Sequence, residues 1–244
     1  LNSTNSTPNY ARVTVTVNTG SLNISGAIGQ SGVTTHGVGL IKDGRGTLEF
    51  SGPTANTYGA TGSQGYTFVR QGTLKFSKDP GVNALASVNL YVGNDAGGPA
   101  ADKLMLGAAN QIPDTTNVIV RSEAEVDLNN FEETLGATLT VTVGTDFSSH
   151  ITTGAGGRLK IAGAVTNTRA ADAFSGVFGW LTTPFRDLLP AGVDGDGYEP
   201  SPGVVIDGVL DMNGAERTFT INDQGLSINE LVINAAIVDS GAAG

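Results

Sequence analysis

Cysteine is absent from the 244 residues. That excludes disulfide scaffolds, Cys-ligated zinc, iron–sulfur clusters and thiol nucleophiles, and leaves the compartment open. Charge is scarce at 15% of residues, against a usual ~25%, and positive charge scarcer still, with 13 Lys+Arg facing 23 Asp+Glu for a net −10. A phosphate-tracking surface needs a clustered Lys/Arg face to release counterions, so nucleic acid is not an expected partner. No stretch approaches the ~18 unbroken apolar residues of a spanning helix, so no helical membrane crossing is expected. Aromatics make up 6%, and the core should therefore consist of small and β-branched side chains. Leu1 is followed by neither a basic n-region nor a signal-peptide core, so the chain reads as a mature product or a piece of something longer. What is abundant is glycine, 35 residues, about twice the usual ~7%.

A five-residue frame recurs: small, polar, apolar, polar, apolar. It reads Gly20-Ser21-Leu22-Asn23-Ile24, Gly46-Thr47-Leu48-Glu49-Phe50, Gly72-Thr73-Leu74-Lys75-Phe76, Asp102-Lys103-Leu104-Met105-Leu106 and Ala124-Glu125-Val126-Asp127-Leu128. It returns at Gly157-Arg158-Leu159-Lys160-Ile161, Gly208-Val209-Leu210-Asp211-Met212 and Asn229-Glu230-Leu231-Val232-Ile233. Apart from one gap of 51 residues, successive frames start about 26 residues apart, the length of one solenoid turn. Period-two alternation predicts that Leu48, Leu74, Leu104, Val126, Leu159 and Leu210 form one inward ladder, with Thr73, Lys75 and Glu49 outward. Short apolar segments and Gly/Asn/Asp corners precede most frames, as at Leu40-Ile41 with Asp43-Gly44, because these residue types tolerate positive φ or bond their own backbone. An antiparallel sandwich also predicts short alternating strands but not one frame returning at a fixed period, so a parallel β-helix is the better reading.

The residues Gly44-Arg45-Gly46-Thr47-Leu48-Glu49-Phe50-Ser51-Gly52, Asn56-Thr57-Tyr58-Gly59 and Gln71-Gly72-Thr73-Leu74-Lys75-Phe76 resemble the autotransporter-associated β-strand repeat of bacterial surface proteins. The likeness continues through Leu106-Gly107-Ala108-Ala109-Asn110-Gln111-Ile112-Pro113-Asp114 and Leu128-Asn129-Asn130-Phe131, is strongest over residues 40–136, and is weaker at Leu210-Asp211-Met212-Asn213-Gly214-Ala215. The resemblance implies a right-handed parallel β-helix forming a stalk on an exported bacterial protein, without catalysis in the repeat. No catalytic residue carries over from it.

Candidate chemistry is sparse. Glu123, Glu125 and Asp127 alternate on one strand and read as a solvated acidic stripe, as do Glu132 and Glu133. His36 and His150 lie far apart with no HExxH spacing or flanking acid, and read as surface-corner residues. Gly29-Gln30-Ser31-Gly32-Val33 lacks the last glycine of GxSxG, and Gly154-Ala155-Gly156-Gly157 reads as a corner between rungs. Asp194, Asp196 and Glu199 come nearest to a calcium site, but Tyr198 occupies the fifth position of the loop, and an Asp-Gly turn is the plainer reading. Matches to the N-glycosylation pattern, such as Asn5-Ser6-Thr7, carry no weight in a Ser/Thr/Asn-rich segment.

The 51-residue gap holds Phe174, Val177, Phe178, Leu181, Phe185 and Leu188 at helix-like offsets around the only tryptophan, Trp180. Residues 164–203 therefore read as an irregular, partly helical excursion from a single solenoid of residues 1–244, either a lid or a partner-binding patch through Phe174, Phe178, Trp180 and Phe185. The expected protein is an all-β parallel solenoid of roughly nine rungs, extracellular, structural or adhesive, with no cofactor and no catalytic residue. Its expected partners are copies stacked end to end or flanking repeats of its own chain, with a host surface or polysaccharide as possible ligand. The rival reading is a carbohydrate-active β-helix enzyme.

Overall fold

A computed structural model describes residues 12–31, 37–59, 65–144, 147–170, 203–224, 227 and 229–241. Strands follow in pairs at first: β1 (Arg12–Thr16) and β2 (Ser21–Ile24), β3 (Gly39–Asp43) and β4 (Thr47–Gly52), β5 (Tyr66–Val69) and β6 (Gly72–Lys78), β7 (Asn89–Val92) and β8 (Asp102–Leu106). From there they come in threes: β9 (Asn117–Val120), β10 (Ala124–Asp127) and β11 (Glu132–Leu135); β12 (Leu139–Val143), β13 (His150–Thr152) and β14 (Arg158–Ile161). The last two sets are β15 (Val165–Arg169), β16 (Val204–Asp207) and β17 (Val209–Asp211), then β18 (Phe219–Thr220), β19 (Leu231–Ile233) and β20 (Ala236–Val238).

These strands build three parallel sheets. The first runs β1-β3-β5-β7-β9-β12-β15-β18, the second β2-β4-β6-β8-β10-β13-β16-β19, and the third β11-β14-β17-β20. Among the described residues the protein is a parallel β-solenoid eight strands deep on two sides, where roughly nine rungs are expected of the whole chain, and those residues include no helix.

The corners after β3 and β5, between the first and second sheets, use positive φ, and Gly44 (φ 77°) and Gly72 (φ 71°) supply it. A Cβ on Gly72 would stand 2.5 Å from the Gly44 carbonyl oxygen of the preceding turn, so close stacking as well as φ demands glycine there. At the corner where the third sheet begins, Asn129 (φ 48°) and Asn130 (φ 70°) make the turn from β10 into β11.

Alternation in each strand buries one side. In the second sheet Leu22, Leu48, Leu74, Leu104, Val126, Ile151, Ile206 and Ile233 pair in register, and Leu48, Leu74 and Leu104 are wholly buried. The neighbouring inward position carries Phe50 and Phe76, stacked with ring centroids 6.0 Å apart. Two members of the expected ladder belong elsewhere. Leu159 and Leu210 pair with each other in the third sheet, while Ile151 and Ile206 take their places in the second. A strand buried on one face shows the same frame whichever sheet it joins, so the motif alone cannot separate the two.

Five residues that the sequence pattern assigns to the excursion belong to the coil. Val165–Arg169 is a strand paired with β12, its inward Val165 fully buried. Residues 171–200, with Phe174, Phe178, Trp180, Phe185, Asp194, Asp196 and Glu199, lie outside the described residues, as does His36.

The third side changes character along the coil. Up to Ile112 it is irregular and tied between levels by side chains and isolated backbone bonds: Ile28 N donates to Asn56 Oδ1 (2.8 Å) and Asn56 Nδ2 to Ala84 O (2.6 Å). Ala84 N donates to Gln111 O (2.8 Å), and Gln111 N to Glu133 Oε2 (2.7 Å). From β11 onward the same side is a regular parallel sheet. Between these surfaces the interior is filled: a void of about 10 Å³ among Val118, Val126, Leu135 and Ile151 is lined in part by Glu133.

Candidate functional site

The outer face of the second sheet gathers the titratable residues that the sequence scatters. Outward positions of adjacent levels bring Thr73, Lys103, Glu125, His150 and Val205 into one column, and Glu49, Lys75, Met105 and Asp127 into the next. Glu49 Oε1 lies 3.0 Å from Lys75 Nζ, the register expected from the repeat. Lys103 Nζ reaches both Glu125 Oε1 and Asp127 Oδ2 at 2.8 Å. His150 stands between two acids, its Nε2 2.8 Å from Asp207 Oδ2 and its Nδ1 3.6 Å from Glu125 Oε2.

His150 therefore lies in a strand and has acidic neighbours, contrary to the corner reading. Those neighbours sit on adjacent levels and are distant in sequence; only the register of Ile151 with Val126 and Ile206 exposes the match. The hydrogen bond to His150, followed by that to Lys103, brings the Glu125 carboxyl down to about 2 against its burial. Reciprocally, the bond His150 donates to Glu125, and then that to Asp207, raise the imidazole above its usual value. Asp207 is held low, chiefly by His150. The stripe thus presents ionised carboxylates with cations between them, arranged over several levels.

Carboxyl groups with raised values are sealed inside. Glu133 is only 1% exposed, which corrects the solvated reading made for Glu132 and Glu133 together. Burial pushes its carboxyl up to about 8. Glu132 does face solvent, paired to Lys160 Nζ at 2.7 Å. Asp102 is pushed up to about 7, first by burial and then by the adjacent Glu123, and its Oδ2 has no hydrogen-bond partner. Glu123 is a buried corner residue rather than a member of the outer stripe: its Oε1 accepts from Asn94 N (3.2 Å) and its Oε2 from Ser122 Oγ (2.7 Å).

Lys42 also points inward, between Val15 and Val69 of the first sheet. Its Nζ donates to the carbonyls of Gly44 (2.6 Å) and Gln71 (2.7 Å) at two successive corners. Burial lowers it to about 8. The recurring frame does not point to Lys42, Asp102 or Glu133: Lys42 and Glu133 lie outside it, and Asp102 fills its first, small position.

Gly154 (φ 73°) lies in the corner between β13 and β14, where Gly156 N donates to Asn130 Oδ1 at 3.1 Å, in keeping with the corner reading. Among the described residues no group of three or more His, Asp or Glu is arranged to hold a metal ion, and no helix is long and apolar enough to cross a membrane. No family model, no curated protein and no solved structure matches the chain.

Proposed function

We propose that this chain is a structural or adhesive segment of an extracellular bacterial β-solenoid, a stalk or fibre unit that continues end to end, through further rungs of a parent chain or through copies of itself. The observation that carries the reading is that the core ladders run out to the end strands without a polar cap among the described residues. Leu22 of β2 is 42% exposed and Ile237 of β20 is 61% exposed, and both strands have a neighbour on one side alone. Solenoids ordinarily cover such edges with polar capping units. Head-to-tail stacking would set β1 and β2 against β18 and β19, covering Leu22 and continuing two of the three sheets, with Ile237 of β20 meeting the irregular third side, and such contacts need not close into a ring.

Electron microscopy with light scattering on native material tests this. Rods longer than one coil, shortened by Ile237→Asp, are the expected result. A monodisperse 24.8 kDa particle, stable on dilution, would overturn end-to-end continuation. Depolymerisation of a polysaccharide by the purified chain would overturn the non-catalytic reading.

A further inference from the structure

The outer face of the first sheet differs from that of the second. Its central column is Thr14, Ile41, Phe68, Tyr91, Ile119, Thr140 and Thr166, each paired with the next level. The core lies on the other side, where Thr67, Leu90, Val92 and Val118 are buried, so the rings of Phe68 and Tyr91 stand on the solvent side and are partly exposed. Beside them run Tyr66, Asn89 and Asn117, again in register. Phe68 and Tyr91 have ring centroids 5.9 Å apart, Tyr66 and Tyr91 6.5 Å apart, both edge to face. Tyr66 lies across Gly39, where a Cβ would come within 2.4 Å of the ring. The glycine thus leaves the ring its seat.

We propose that this face, from Phe68 to Ile119, is a platform for an extended, uncharged polysaccharide that stacks its sugar rings on Tyr66, Phe68 and Tyr91. Three observations select that ligand. Between Phe68 and Ile119 the two columns contain no charged side chain; Arg12 stands two levels from Tyr66 in the second column, and the ion pairs at the edges, Asp43 with Arg70 and Asp95 with Arg121, are closed on themselves. An acidic chain of net −10 that keeps one face neutral offers nothing to a charged ligand.

The polar atoms on the face are suited to sugar hydroxyls. Asn117 Nδ2 donates to Asn89 Oδ1 at 3.2 Å, and among the described residues the Asn89 amide nitrogen and the hydroxyls of Tyr66 and Tyr91 have no hydrogen-bond partner. Aromatic faces with a few placed polar groups are what a saccharide, apolar on its C–H face and polar at its rim, requires.

Size argues the same way. Three levels about 4.8 Å apart and two columns about 7 Å apart make a platform of roughly 200 Å², well below the ~800 Å² per partner of a stable protein interface. The level spacing is close to the advance of one sugar in an extended β-linked chain, so successive sugars meet successive rungs.

Affinity electrophoresis of the full chain in gels containing hydroxyethylcellulose, xylan, mixed-linkage β-glucan or, as the acidic probe, polygalacturonate tests the proposal. Retardation by at least one neutral polymer is expected, weakened about tenfold or more by Tyr91→Ala, which removes one stacked ring. Tyr91→Phe keeps the ring and should retain most of the binding. Lys160→Ala, on the third sheet, should change nothing, and thermal melting of each variant establishes that it is folded. The proposal is overturned by retardation in none of the neutral polymers, by retardation in polygalacturonate alone, by binding that survives Tyr91→Ala, or by self-association that Tyr91→Ala abolishes. Rod length is measured separately, so a failure here leaves end-to-end stacking standing, and the reverse.

Discussion

Along its third side the coil is held in two ways: between Ile28 and Ile112 by isolated backbone bonds together with side chains such as Asn56 and Glu133 that reach neighbouring levels, and from Glu132 onward by backbone ladders. Both satisfy the same requirement, since a backbone N–H or C=O turned away from water must find a partner. The ladder does so with groups that every residue carries, so β11, β14 and β17 tolerate varied outward side chains. The irregular half instead relies on particular residues. Asn56 is 2% exposed and bonds in both directions along the coil. Glu133 sits where the two constructions meet, an inward residue of the first ladder strand whose carboxylate also receives the N–H groups of Gln111 and Ile112 from the irregular side.

The comparison breaks most visibly at Asn56. Asn56→Leu leaves Ile28 N–H and Ala84 C=O unpaired and should cost about 2 to 4 kcal/mol, whereas Thr134→Leu on β11 should stay within about 0.5 kcal/mol. Equal losses in urea unfolding would mean that the two halves are not built differently.

Next in size is the junction. Glu133 holds its proton in the folded protein up to about 8, against an ordinary 4.5, so its contribution is full below the ordinary value and is lost as pH rises towards about 8. The slope is at most about 1.4 kcal/mol per pH unit. Asp102, raised to about 7, adds to the loss with the same sign over a lower window. Glu133→Gln should flatten the upper part of the stability profile, and an unchanged profile would show that its burial carries no proton.

A smaller effect belongs to the outer stripe. The imidazolium of His150, held by Glu125 and Asp207, contributes below the ordinary value of 6.5, and that contribution fades as pH rises through its raised folded value. Glu125, brought down to about 2, contributes above the ordinary carboxylate value and loses it as pH falls. With the His150 side chain 37% exposed, screening keeps the effect modest. Proton NMR should show His150 titrating above 6.5, and Glu125→Gln should bring it down. Smallest of all, a double-mutant cycle on Glu49 and Lys75 should give about 0.2 to 1 kcal/mol that declines with salt. No coupling at low salt would break the pairing of those two levels.

The recurring frame was enough to set the parallel coil, the inward Leu48, Leu74 and Leu104, and the Glu49–Lys75 register. A buried strand face has to repeat its apolar positions, and a solenoid has to repeat them at the length of its turn. It could not say which sheet the frames at Gly157 and Gly208 join, because membership depends on the corner at Asn129 and Asn130 and not on the strand itself. Nor could it find the partners of His150 or the neutral platform around Tyr91. Both are made by residues on successive turns, which become neighbours only when the coil closes and its levels fall into register. Local alternation decides which way a side chain faces. Stacking alone decides what lies beside it, and so what the surface can bind.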